Sequence, residues 1–214
     1  MSARENVLQR DPVSHGLWAH SATAAPPCEL LSGPLEVDVV VVGAGFTGLA
    51  AALRLAENGA SVAVLEAQSI GYGASGRNAG LVNAGLWLSP DEIVKRLGNE
   101  YGERLMSALG DAPTRVFELI ETHGMRCEPR RTGTLHCAHS PSGFEELRQR
   151  AGEWTSRGAP VELLDRQAAA RKIGTDHFHG ALLDHRAGTV QPLGYARGLA
   201  AAAARAGARI FAAA

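Results

Sequence analysis

Asp38-Val39-Val40-Val41-Val42-Gly43-Ala44-Gly45-Phe46-Thr47-Gly48 is a G-x-G-x-x-G loop set behind a β-branched apolar run, and Glu66 follows 18 residues after its last glycine. Val37 to Val42 is too short and too β-branched for a helix and reads as a buried parallel strand. Gly43 allows a tight turn, Gly45 lets the backbone approach a pyrophosphate, and Gly48 lets the next helix pack on the strand. That helix is predicted from about Phe46 to Asn58, with Leu49, Ala52, Leu53 and Ala56 on one apolar face. Its N-terminal amides favour a diphosphate. Gly59 suits the stop, and Ser61 to Leu65 reads as the second strand. Glu66 at its end can accept hydrogen bonds from both ribose hydroxyls and would repel a 2′-phosphate. A glycine-rich turn would account for the loop alone. It would not account for strand, loop, helix, strand and acid in series, which is the dinucleotide-binding arrangement.

A second loop, Gly71-Tyr72-Gly73-Ala74-Ser75-Gly76-Arg77-Asn78-Ala79-Gly80, carries four glycines in ten residues. A NAD-type half-domain continues into a helix at this point, which four glycines oppose. An amide-rich loop with Ser75 and Asn78 as short polar groups suits a larger cofactor, FAD. The plainer reading is a flexible surface loop. A NAD-dependent dehydrogenase and a non-catalytic module holding only the adenosine half are the rival functional readings.

These stretches resemble the FAD-dependent D-amino-acid oxidase (DAO) superfamily: V-V-G-A-G-F-T-G, then L-E-A at Leu65 to Ala67, then G-x-G-A-S-G-R-N-A-G. They are similar to its γ-glutamylputrescine oxidoreductase-like subgroup, as is the arm Leu17-Trp18-Ala19-His20-Ser21-Ala22-Thr23-Ala24 ahead of Pro26-Pro27. The resemblance implies an α/β fold: a Rossmann-like FAD-binding βαβ unit with part of an inserted α+β substrate domain. It implies that Gly43, Ala44, Gly45, Phe46, Thr47, Gly48, Glu66, Ala67, Ser75, Gly76, Arg77, Asn78 and Gly80 line FAD. It implies oxidation of an amine or amino-acid C–N bond to an imine by hydride transfer to flavin. Some relatives carry a histidine where Asn78 stands and bind flavin covalently through it, so Asn78 implies non-covalent FAD. No catalytic acid or base is assigned.

At 214 residues, 45% apolar and 20% charged, with a formal net charge of −1, the composition is that of an ordinary globular protein. It gives no sign of a nucleic-acid partner. No apolar run approaches the ~18 residues that span a bilayer. Arg4, Glu5, Arg10 and Asp11 leave no room for a secretory apolar core, so a cytoplasmic location is expected. Cys28, Cys127 and Cys137 are odd in number and widely spaced, which argues against a disulfide framework. Cys137 between His136 and His139 lacks the paired spacing of a metal site, and no metal is expected.

The expected organisation is an arm over 1–36, a first part of the FAD-binding domain over 37–95, a partial substrate domain over 96–190, and a return helix and strand over 191–214. Ser89-Pro90-Asp91-Glu92 reads as a capping box opening a helix. A longer helix from about Glu100 to His123 is expected to break near Asp111-Ala112-Pro113. Glu145, Glu146, Arg148, Arg150 and Glu153 read as the solvated face of another helix. His177, His179, His185 and Arg186 are polar groups with no sequence reason to converge. DAO-type relatives continue for about as long again, so the chain reads as an N-terminal fragment. Marginal stability and aggregation are expected from an open sheet edge.

Overall fold

The computed structural model describes residues 16–213; the first fifteen residues of the expected arm and Ala214 lie outside the described residues. In chain order the elements are α1 (Leu17–Ser21), β1 (Val39–Val42), α2 (Phe46–Glu57), β2 (Val62–Glu66), β3 (Leu81–Val82), α3 (Pro90–His123), β4 (Thr134–Cys137), α4 (Pro141–Ser156), β5 (Val161–Asp165), α5 (Arg166–Ile173), β6 (Gly180–Asp184), β7 (Gly188–Thr189), α6 (Pro192–Arg205) and β8 (Arg209–Ala212). They fall into two compact units. The described part of the first lies within Met1–Gly80, Leu119–Pro129 and Val190–Ala214; the second is Leu81–Glu118 and Arg130–Thr189.

The first unit is an α/β layer. β1, β2 and β8 form a parallel sheet in the order β1-β2-β8, with Val39 opposite Val62 and Leu65 opposite Phe211. Parallel neighbours need crossovers, and α2 supplies the one between β1 and β2. α2 and α6 pack on each other and on the sheet, burying Leu49, Leu53, Leu193 and Leu199 completely or nearly so. At the start of the sheet Asp38 and Ser61 clasp β1 to β2. The Asp38 amide donates to Ser61 Oγ at 2.9 Å, and Asp38 Oδ2 accepts from the Ser61 amide at 2.8 Å and hydroxyl at 2.6 Å. The outer edge of β8 is covered by Glu29, whose amide donates to the Ile210 carbonyl and whose carbonyl accepts from the Ala212 amide. Its carboxylate also pairs with Arg209. Such cover removes one open edge.

β1 departs from the buried strand expected. Val39 and Val41 are half-buried, but Val40 and Val42 are 53% and 84% exposed. Among the described residues β1 pairs only with β2, so it is an edge strand with one bare face.

The second unit is α+β. Its antiparallel sheet runs β4-β6-β5, with Leu135 opposite Leu183 and Leu164 opposite Ala181. α4 covers one face through Leu147 and Ala151 against Ala138 and Leu182, and α5 covers the other through Ala169 against Leu164, Ala181 and Leu183. Ser140 and Asp165 cap these helices, accepting from the Gly143 amide at 3.0 Å and the Ala168 amide at 2.7 Å. β3 pairs with β7 antiparallel.

α3 corrects two expectations. It does not break at Pro113. The carbonyl that the missing proline N–H leaves unpaired belongs to Leu109, and it accepts from the Gly85 amide at 3.3 Å. The break falls at Gly98, whose φ of 77° is left-handed. Ser89 does cap the helix, at 3.4 Å from the Glu92 amide, but Glu92 closes no capping box; it pairs with Arg96. Nor is Glu153 part of a solvated face. It is only 7% exposed, accepting from Gln149 at 2.9 Å and from the Asp91 amide at 3.1 Å. There it serves as a second, distant cap on the first turn of α3.

Candidate functional site

The two glycine loops meet within the first unit. Gly43 leaves β1 with φ 98°, and α2 begins three residues later. A Cβ at Gly48 would collide with the Gly43 carbonyl oxygen and lie 3.1 Å from Val41 Cγ1, so only glycine permits this close packing of helix on strand. A Cβ at Gly45 would lie 2.9 Å from Ser75 Oγ, in the space between the two loops. Ser75 Oγ accepts from the Phe46 amide at 3.0 Å, which ties the second loop to the first helical turn. Among the described residues, the amides of Gly45, Thr47 and Gly48 have no partner in the hydrogen-bond network, and they stand at the positive end of α2.

Glu66 ends β2 beside this turn. Its Oε2 accepts from the Ala44 amide at 2.7 Å and its Oε1 from the Gln68 amide at 2.9 Å. Both oxygens are thus fixed, and each keeps acceptor capacity for a hydroxyl. Cys28 lies near this carboxylate; burial first, and Glu66 second, push its thiol above the ordinary range.

Asn78 fastens the second loop onto itself. Its Nδ2 donates to the Ala74 and Ser75 carbonyls at 3.1 and 3.0 Å, and its Oδ1 accepts from the Gly80 amide at 2.7 Å. The Gly80 carbonyl in turn accepts from the Val190 amide at 2.8 Å. Ala44 and Gly76 are buried, Phe46 is half-buried against Tyr195 with ring centres 5.2 Å apart, and Thr47, Ala67 and Arg77 are exposed. The Arg77 guanidinium stacks 4.6 Å from the Tyr72 ring centre. Tyr195 and Gln191, on and before α6, border this region and were not legible as site residues. Burial, and then Cys127, push the Tyr195 phenol up to about 12.

The residues present therefore fit a dinucleotide. A diphosphate has free helical amides, a ribose has a fixed carboxylate, and a Cβ would fill the groove between the loops. The second loop lies beside the first, with the amides of Gly71, Tyr72, Gly76, Arg77 and Gly80 already bonded to protein acceptors.

The second unit holds a cavity of about 580 Å³ lined by Leu81, Trp87, Thr134, His136, Arg150 and Trp154, among others. Arg150 donates to the Trp87 carbonyl, and burial holds its guanidinium below its ordinary value. Burial, then Arg150 and His139, lower the His136 imidazole. Asp184 on the cavity wall is already neutralised by Arg186 at 2.6 Å. The rings of His139, His177 and Phe178 cluster with centres 4.9–6.4 Å apart, while His185 faces Glu162 at 3.4 Å. Among the described residues no group of three metal-ligating side chains forms, and no helix is long and apolar enough to cross a membrane. The cysteines are free thiols.

The fold is that of a Rossmann-like α/β unit with a second, α+β unit. The family model of FAD dependent oxidoreductases (DAO) matches residues 38–214, and the chain belongs to that family. It is 37% identical over 195 residues to the γ-glutamylputrescine oxidoreductase of Escherichia coli strain K12, covering 91% of this chain and 46% of the relative. Its structure resembles glycine oxidase from Geobacillus kaustophilus at a TM-score of 0.68 and 27% identity, over 83% of this chain and 46% of that one. L-amino acid deaminase from Proteus myxofaciens shares the fold at a TM-score of 0.72 and 19% identity, over 90% and 41% of the two chains. The chain spans about half the length of the curated relatives it matches.

Proposed function

We propose that this chain binds FAD in an oxidoreductase acting on the C–N bond of an amine or amino acid. The observation that carries the reading is the pair of linked glycine loops beside an anchored Glu66. Gly43 to Gly48 would hold the pyrophosphate on the free amides of α2. Glu66, fixed by Ala44 and Gln68, would accept from the adenosine ribose hydroxyls. Ser75 to Gly80 would line the rest of the cofactor through backbone groups. FAD, when bound, supplies the two-electron acceptor. Asn78 has no nucleophilic nitrogen, and its amide is committed to its own loop, so no covalent link to the flavin would form through it.

The cavity of the second unit is of a size that takes a small organic molecule, with apolar walls and Arg150 as a fixed cation. We propose it as the small-molecule pocket of that unit. The family relatives named for γ-glutamylputrescine and glycine support an amine substrate.

The test is titration of the purified chain with FAD and with NAD, followed by anaerobic addition of amines and amino acids. Quenched FAD fluorescence at a stoichiometry of about one, with no NAD binding, is expected. Bleaching of the flavin band by an amine would establish turnover chemistry. Binding of NAD in preference to FAD would overturn the reading.

A further inference from the structure

The arm Leu17 to Ala24 has a sequence signature but no place in the cofactor site described above. We infer that Trp18 is a positioning residue for the cofactor, strapping the second glycine loop into its binding shape. The inference rests on the reading of the two loops as an FAD cradle.

The strap starts from Gln191, which is 3% exposed and stands at the N-cap of α6. Its Oε1 accepts from the Gly194 amide at 2.5 Å, the ordinary duty of a cap. Its Nε2 donates to the Trp18 carbonyl at 2.9 Å and to Ser21 Oγ at 3.1 Å. Serine, threonine and aspartate cap better, but none can accept from the helix and donate twice elsewhere. The choice of a carboxamide is explained by the arm. Farther along, Arg197 Nη1 donates to the Thr23 carbonyl at 2.7 Å, holding the other end of the segment.

Trp18, thus seated, donates its indole N–H to the Asn78 carbonyl at 3.0 Å. Asn78 fastens Ala74, Ser75 and Gly80, and Ser75 accepts from the Phe46 amide. A continuous path of hydrogen bonds therefore runs from a buried glutamine, through the arm, to the first turn of α2. The loop it crosses has four glycines in ten residues and is expensive to order. With the strap in place that ordering precedes cofactor binding; without it, binding must bear the cost. The indole, a rigid ring with one donor, suits this task.

Two variants test the inference on the full chain: Trp18→Phe, which keeps a ring and loses the donor, and Gln191→Glu, which keeps the acceptor for Gly194 and loses both donors to the arm. FAD and ADP are titrated separately, because ADP needs only the first loop and Glu66. In each variant FAD affinity should fall about fivefold while ADP affinity stays within about twofold. Hydrogen exchange of the Ala74 to Gly80 amides, measured without nucleotide, should quicken. Equal losses for FAD and ADP would reduce Trp18 to a general structural role and overturn the inference. So would unchanged exchange, whether or not FAD binds. If the wild-type chain binds neither nucleotide, the flavin reading fails by itself, and the exchange measurement still decides the strap. Where one variant fails to fold, the other carries the test.

Discussion

Gly48→Ala is the most direct probe of the cradle. The added methyl would overlap the Gly43 carbonyl oxygen and sit 3.1 Å from Val41 Cγ1. Neither neighbour can yield cheaply, since the first is backbone and the second belongs to β1. The start of α2 must therefore retreat from the strand by roughly 1 Å, an overpacking strain of about 1–3 kcal/mol. At this chain length that corresponds to a fall in Tm of roughly 3–10 °C. The same shift moves the free amides of Thr47 and Gly48 out of hydrogen-bonding range of a bound diphosphate. Two charge-assisted bonds at about 1.5 kcal/mol each are at stake, so FAD affinity should drop about 100-fold. Flavin fluorescence gives the affinity, and a thermal melt gives the stability. Gly152→Ala is the control, because nothing lies within 4 Å of its missing Cβ and it stands within α4 of the second unit, not in either glycine loop. It should leave FAD affinity unchanged and should not lower Tm. If Gly48→Ala binds FAD as the wild type does, the packing of α2 on β1 does not set the cofactor site.

Glu66→Gln keeps the size and one acceptor but replaces the charged acceptor of the Ala44 amide; FAD and ADP affinity should both fall about tenfold by titration. Asp38→Asn tests the clasp at the base of the sheet. Hydrogen bonds from Ser61, side chain first and backbone second, hold the Asp38 carboxyl below its ordinary value of 3.8. A carboxylate lowered in the folded state adds stability above its unfolded pKa and loses it as pH falls through the folded value. Chemical denaturation should thus show Asp38→Asn less stable than wild type at pH 7, with the gap closing below about pH 3.8. Thiol labelling at pH 8 should modify Cys28 and Cys137 long before Cys127, whose thiol is fully buried and raised by that burial, and then by Glu128, to about 11. Equal labelling rates in the folded protein would contradict the packing around it.

What the sequence disclosed, and what it hid, follows from the range of each interaction. The loop, the helix behind it and Glu66 were legible because a backbone turn, a helical face and a strand end are all local, and because glycine has few other uses in that order. The cap at Ser89 is local in the same sense: acceptor and amide lie three residues apart. Two misreadings involved a partner supplied from far along the chain. Pro113 was expected to break α3, since its missing N–H orphans a carbonyl; Gly85, more than twenty residues back, pairs that carbonyl, and the helix passes through. Glu153 matched a solvated charge pattern until the amide of Asp91, 62 residues away, claimed it. The Val37 to Val42 run was read as buried because β-branched runs usually are, yet burial belongs to neighbours and not to composition, and Val42 stands 84% exposed. Trp18 is the extreme case. Its partners lie 60 and 173 residues away, and nothing in an L-W-A-H-S signature states that an indole and a glutamine amide will hold a loop of glycines between them. A loop of that composition is legible as a place where backbone meets ligand. The side chains that make it rigid enough to bind are drawn from wherever the fold brings a donor within 3 Å, and they appear only in three dimensions.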